Sequence, residues 1–334
     1  MNIAPDLTTG LAVSMSLTAA FMWGSWFIAI KYLDDYPLEG FYITLFAASV
    51  IFVWAVGFAL DGSSLLGNMH DIWAVDPSRI TVTLLCGALY VIGLQISVSV
   101  SKLIGLSLSQ PIQTSMNILI GTLLSAIVGG LPPGFSALKM GLACLFLVGA
   151  VAASMLAGKF RAQALDADDN QLQFNMQDLW KGLGLLLIAS LLMPAYTLGA
   201  SYGLKSITQP NGLAVMPFMA LLATGAFIGS LLSSGLLLTL RKQWPLVLHA
   251  GFKRHKLGIL AGLSHYGGNI IHTFATASLS TVIAWPLGMT AGLWTQLWGL
   301  VYSEFKGAPR RSYAALAAAV VCYFIGAYII TLMT

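Results

Sequence analysis

Charge is what this chain has least of. Only 8% of its 334 residues are Asp, Glu, Lys or Arg, where a soluble domain carries roughly 25%, and this excludes a water-soluble fold. The mean hydropathy of +0.83 is spread along the chain with no polar stretch of domain length, so a soluble enzyme on a single anchor is excluded too. Cysteine is nearly absent. Cys86, Cys144 and Cys322 lie in apolar stretches without paired spacing, so neither a disulfide framework nor a cysteine metal site is expected. Also missing are a His-Glu-x-x-His motif, a Gly-x-Ser-x-Gly elbow, an intramembrane acidic pair and a nucleotide-binding glycine loop. No catalytic residue, metal or cofactor is therefore expected, and neither hydrolysis nor ATP-driven pumping has chemical support. Met1 to Gly10 lacks a basic segment and the apolar run from Leu11 is long, which argues against a cleavable signal peptide.

What is there instead is hydrophobic sequence, 57% of the chain. Stretches nearly free of charge predict ten spans, near 10–31, 40–60, 80–102, 105–128, 137–157, 181–204, 212–240, 257–277, 281–303 and 312–333. Each has about the 20 residues that cross a bilayer as a helix. The uncharged 47 residues from Leu257 to Ser303 hold two of them, with a turn at Ser278-Leu279-Ser280. Helices are expected because a lipid-exposed backbone must satisfy its own hydrogen bonds, and runs such as Leu185-Leu186-Leu187-Ile188 do not alternate as barrel strands do. The 34 glycines, mostly within spans, suit close helix packing.

The few charges orient the chain. Thirteen basic residues fall on one side (Lys31, Lys102, Lys159, Arg161, Lys181, Arg241, Lys242, Lys253, Arg254, Lys256, Lys306, Arg310, Arg311) and three on the other (Arg79, Lys139, Lys205). The positive-inside rule makes the richer side cytoplasmic, and an even number of spans puts both termini outside.

The expected fold is thus an all-α integral membrane protein of ten helices in two five-helix repeats. Residues 1–158 form the first repeat, 159–179 a cytoplasmic linker and 180–334 the second. A shift of 171 places Gly258 on Gly87, Gly292 on Gly121 and Ser278-Leu279-Ser280 on Ser107-Leu108-Ser109. With an odd number of spans per half the copies are inverted, as in many secondary transporters, whose substrate site lies between the halves.

Intramembrane polar residues are candidates for that site. His265, Asn269 and His272 stand at i, i+4 and i+7, one face of the eighth span, and Gln95, Ser99 and Lys102 repeat the spacing in the third at an offset of 170. Two stripes facing one another across a cavity are expected, although interhelical hydrogen bonds would use the same residues. Gln113 and Asn117 in the fourth span add uncharged donors and acceptors. Trp23, Trp26 and Trp285 sit deep enough to stack on a sugar or planar ring, or to serve as packing, and Tyr196, from the aromatic cluster of the sixth span, is a further binding candidate. An unperturbed imidazole titrates at about 6.5, so His265 and His272 are candidate proton carriers. Lys31 and Glu39 bracket the first cytoplasmic turn and are candidates for a gate or a proton-linked carboxylate, as is Lys102.

Three stretches carry a resemblance: Trp23-Gly24-Ser25-Trp26 through Lys31 to Glu39; Gly87-Ala88-Leu89 through Leu106-Ser107 to Ile120-Gly121-Thr122; and Glu304 through Gly307-Ala308 to Arg310-Arg311. They resemble the drug/metabolite transporter superfamily, in the branch of the L-rhamnose/proton symporter, the glucose/ribose porters and the ureide permeases. The resemblance implies an inner-membrane secondary transporter, proton-coupled and taking up a small neutral solute such as a monosaccharide. A carrier of ureides, purine-derived or other nitrogenous metabolites is the alternative; a channel or membrane-embedded enzyme is a third class with less support. The partners expected are a small-molecule substrate, a proton and membrane lipid, with no nucleic acid; oligomeric state stays open.

Overall fold

The computed structural model describes residues 7–104, 106–165 and 176–333, with side chains described outside 101–111, 162 and 165–179. The chain is 84% helix without strands among the described residues. In order the helices are α1 (Thr9–Ser25), continued by a 3-10 helix (Trp26–Tyr32), α2 (Leu38–Asp61), α3 (Ser64–Val75), α4 (Pro77–Ile104), α5 (Leu106–Gly129), α6 (Ala137–Leu165) and α7 (Met176–Leu192). There follow α8 (Ala195–Gly203), α9 (Val215–Leu240), α10 (Trp244–Leu248), α11 (Phe252–Leu279), α12 (Thr281–Gly288), α13 (Ala291–Val301) and α14 (Arg310–Thr331).

Eight of the helical stretches are long and apolar enough to cross a membrane, namely α1 with its 3-10 extension, α2, α4, α5, α6, α7 with α8, α9 and α14. The protein is a multi-pass membrane protein. The two other expected spans, 257–277 and 281–303, are occupied by α11, which has the length but is too polar, and by α12 and α13, each too short alone. α11 turns into α12 at Ser280, whose φ of 73° lies in the left-handed region that a β-carbon disfavours. The tight turn expected at 278–280 is there. Both ends of the expected linker are helical, because α6 runs on to Leu165 and α7 starts at Met176. The acidic residues Asp166, Asp168 and Asp169 lie outside the described residues. α3 has no counterpart in the span reading: its apolar run is short, and only Leu65 is buried.

Packing partners occur in matched sets. α1 lies on α11 and α13, while α7 and α8 lie on α4 and α5; α4 lies on α9, and α11 on α2; α2 meets α9, α5 meets α12, and α6 meets α14. The centre is α9, in which 72% of the most apolar stretch is buried, against 28% in α2 and α14. Gly87 shows how close this packing is. A β-carbon there would collide with the Leu222 carbonyl of α9, so α4 and α9 approach backbone to backbone.

Candidate functional site

Helix breaks set up the centre of the bundle. α1 loosens into the 3-10 helix at Ser25–Trp26, and α7 stops at Leu192, before Pro194 and the start of α8. Pro194 has no N–H to continue the ladder. These breaks present Trp23, Trp26 and Tyr196 to the middle of α11, where His265 lies half-way along the helix, and to Trp285 of α12. Trp23 packs edge-on to Tyr196 at 6.0 Å between ring centroids, 4.7 Å from His272 and 6.3 Å from Trp285; Tyr196 lies 5.7 Å from Trp285. Trp26 meets the edge of His265 at 5.3 Å. All six rings are buried, and the separations are those of favourable aromatic pairs.

Hydrogen bonds pin this box. Trp23 Nε1 donates to Asn269 Oδ1 at 2.7 Å, and Trp285 Nε1 donates to the Asn117 carbonyl at 3.0 Å. Gln113 Nε2 donates to Asn117 Oδ1 at 3.3 Å, and Asn117 Nδ2 to Met193 Sδ at 3.7 Å. The two histidines differ. His272 Nε2 faces the Ala284 carbonyl at 3.0 Å, so that nitrogen carries the proton, and Nδ1 lies 3.3 Å from Thr276 Oγ1. His265 has only Nε2 occupied, 2.5 Å from the Tyr90 hydroxyl, and its Nδ1 is buried without a partner. Asn269 Nδ2 and Gln113 Oε1 are likewise buried and unpartnered. Such atoms are costly in a protein interior. Asn269 and His265 touch the rings directly, through Trp23 and through Trp26 and Tyr90, whereas Gln113 joins them by way of Asn117, whose carbonyl accepts from Trp285. No Asp, Glu, Lys or Arg is buried among the described residues, so the box is uncharged apart from any proton on histidine.

Of the expected site residues, Trp23, Trp26, Gln113, Asn117, Tyr196, His265, Asn269, His272 and Trp285 belong to this connected cluster. Gln95 and Ser99 do not. Ser233 Oγ of α9 donates to Gln95 Oε1 at 2.5 Å, Gln95 Nε2 reaches Ser230 Oγ at 3.4 Å, and Ser99 Oγ bonds back to the Gln95 carbonyl. The expected pair of facing stripes is therefore corrected: the α4 stripe turns to α9 and its own backbone. The reason is helical rotation. α4 presents Tyr90 to His265, and five residues on, at about 100° per residue, Gln95 points roughly 140° away. The side chain of Lys102 lies outside the described residues. Tyr90 is the participant that sequence reasoning missed; a lone phenol inside an apolar span, needing a hydrogen-bond partner when buried, was the available signal.

Lys31 and Glu39 are not a pair with one another. Lys31 pairs with Glu304, between α13 and α14, and lies over the Tyr302 ring; Arg161 Nη1 stands 4.0 Å from the same carboxylate. Glu39 accepts from Arg241 at the end of α9 at 2.6 Å, and Asp34 from Arg254 at 2.9 Å. Trp298 Nε1 donates to Ser25 Oγ at 2.8 Å. These contacts tie residues 25–39 to residues 241–304 at one end of the bundle. At the opposite end the segment between α8 and α9 folds back on itself: Lys205 N–H donates to the Leu213 carbonyl at 2.8 Å and Leu213 N–H to the Gly203 carbonyl at 2.7 Å. It is anchored by Ile207 N–H on the Ala277 carbonyl at 3.1 Å and by Gln209 Nε2 on the Val128 carbonyl at 3.1 Å. Beside it Arg79 reaches Asp76 and the Tyr202 carbonyl. The Ser78 hydroxyl, then the Arg79 charge, hold the Asp76 carboxyl below the usual carboxylate range.

No family model and no curated protein matches the sequence. A solved crystal structure is similar in fold, with a TM-score of 0.63 and 16% sequence identity over 95% of this chain and 95% of its own. At that identity the likeness concerns the fold alone.

Proposed function

We propose that the protein is a secondary transporter working by alternating access, a proton-coupled importer of a small neutral solute such as a monosaccharide. The observation that carries the reading is the uncharged aromatic box at the helix breaks, with His265 Nδ1 and Asn269 Nδ2 buried and unpartnered in it and Gln113 Oε1 likewise in the adjoining Asn117 network. Hydroxyl groups of a sugar can both donate and accept, and so satisfy all three, while Trp23, Tyr196 and Trp285 offer ring faces to the pyranose carbons.

In this reading α11 and α12 with α13 are the eighth and ninth of ten spans, and the chain consists of two inverted five-helix halves. The matched packing supports it, because exchanging the halves maps each set of partners onto another or onto itself. The broken first and sixth spans are also equivalent under that exchange. Substrate held between such halves is released to either side as they rock. The basic end is cytoplasmic, both termini are outside, and the membrane is the inner one.

His265 is the proton carrier in this scheme. A neutral ring accepts the Tyr90 proton at Nε2 and offers Nδ1–H to substrate; a protonated ring donates from both nitrogens. His272, held on both sides, is a fixed wall. In proteoliposomes, uptake of radiolabelled L-rhamnose should rise with an inwardly directed proton gradient, and His265→Ala should abolish that stimulation while His272→Ala retains it. Uptake indifferent to the gradient removes symport, and wild-type coupling in His265→Ala removes the histidine. The amides and indoles also suit a ureide or nucleobase. Thermal shifts separate the two readings: the true substrate at about 100 times its Kd stabilises by about 2.7 kcal/mol, and the other class should leave the Tm unchanged.

A further inference from the structure

A basic segment and an apolar groove lie together on the surface of the bundle, away from the aromatic box. Residues 241–256, between α9 and the first turn of α11, contain Arg241, Lys242, Lys253, Arg254 and Lys256 and no acidic residue. Arg241 and Arg254 are engaged by Glu39 and Asp34. Lys242, Lys253 and Lys256 are exposed and have no ion-pair partner among the described residues. Between them Leu246, Leu248 and Phe252 are 56%, 72% and 73% exposed. Large apolar side chains flanked on both sides by lysines suit this segment to the membrane interface, with the ammonium groups at headgroup depth.

From there a groove of about 450 Å³ descends between α2 and α11, within the size range of ligand clefts. Ile259 and Leu263 form one wall, and Ala47, Ala48 and Ile51 the other; Thr44, 3.2 Å from His255 Nδ1, also lines it. Lys256, Ile259 and Leu263 stand at i, i+3 and i+7 and so share one helix face. The cationic group and the apolar groove are thus stacked along a single line running from headgroup depth into the hydrocarbon.

The geometry points to a binding site for an anionic glycerophospholipid, its phosphate at Lys253 and Lys256 and one acyl chain in the groove between α2 and α11. Charge complementarity selects this occupant. A zwitterionic lipid brings no net charge to three unpaired lysines, a free anion leaves the groove empty, and a second copy of this chain would set like charge against like. Basic sites beside transmembrane helices hold anionic headgroups in this way.

The test uses the full-length protein, with retained lipid counted by native mass spectrometry after reconstitution in equimolar phosphatidylglycerol and phosphatidylcholine. Phosphatidylglycerol should be preferred, and the preference should fall by about fivefold for each of Lys253→Gln and Lys256→Gln. Ala48→Phe, which fills the groove, should also lower phosphatidylglycerol retention, while Lys139→Gln at the opposite end should change nothing. Glycerol phosphate, a headgroup without a chain, should not compete. Equal retention of the two lipids overturns the proposal, and so does an unchanged preference in the double lysine variant. Competition by glycerol phosphate would make this an anion site only. A change of oligomeric state in Ala48→Phe with lipid retention intact would assign the groove to a second copy. Should Ala48→Phe fail to fold, the exposed lysine variants decide alone.

Discussion

The two ends of the bundle are closed by different chemistry. At the end carrying Lys31, Glu39 and Glu304, distant parts of the chain are joined through side chains, most of them charged and partly exposed: the side chains of Lys31, Glu304 and Arg241 are 44%, 34% and 51% accessible. At the end carrying Arg79 the seal is mainly backbone, residues 203–213 hydrogen-bonded to themselves and to the last turn of α11, with the neutral Gln209 amide reaching the last turn of α5. Exposed ion pairs are worth little and are screened by salt, whereas a backbone seal has no ionic term and tolerates no added volume. In the alternating-access reading, the ion-paired end is therefore the one that a small change in charge can open.

The largest expected effect falls on the backbone seal. A β-carbon at Gly212 would strike the Leu204 carbonyl carbon and the Lys205 nitrogen, so Gly212→Ala should cost roughly 1–3 kcal/mol by overpacking, visible as a lowered Tm in detergent at any salt concentration. A Tm equal to wild type would show that the seal is loose. Next comes Glu304→Gln, which leaves Lys31 and Arg161 without their counter-charge. With at most about 1 kcal/mol at stake in such exposed pairs, labelling of Ala29→Cys by an impermeant thiol reagent, with Cys86, Cys144 and Cys322 replaced by Ala, should speed up by no more than about fivefold. Salt near 1 M, where the Debye length is about 3 Å, should reproduce part of that gain in the parent and add little to Glu304→Gln. Equal salt responses in the two would remove the ion pair from the closure.

Smallest is the effect of Asp76, a partly buried carboxylate at the opposite end. Its pKa is lowered on folding, so its contribution is complete above the unfolded value of about 3.9 and is lost as pH falls through the lower folded value. The Tm gap between wild type and Asp76→Asn should be present at about pH 6 and close in acid; a gap independent of pH would show that the Ser78 and Arg79 contacts do not act through the charge.

Much of the candidate site is legible in the sequence. The spacing of His265, Asn269 and His272 placed them on one face, and their cost inside a membrane singled them out. Trp23, Trp26 and Trp285 stand out by depth, and Tyr196 by the aromatic clustering of its span. What was not legible was direction. The same spacing in Gln95, Ser99 and Lys102 promised a second stripe toward the first, yet Gln95 turns to Ser230 and Ser233. Lys31 and Glu39, neighbours along the chain, bond to Glu304 and Arg241, more than 200 residues away.

The division has a physical cause. In a bilayer each span must satisfy its own backbone and match its own hydropathy to the lipid, so helix positions, the turn at Ser280 and the sorting of basic residues between the two sides are local properties that follow from the chain alone. Rotation of each helix about its axis is not local. It depends on which small residues let two backbones meet, as Gly87 does against Leu222, and on where a ladder breaks, as at Pro194. Tertiary packing thus decided that His265 meets Tyr90 rather than the α4 stripe, that it keeps a buried nitrogen unpartnered while His272 does not, and that one end closes on ion pairs and the other on backbone.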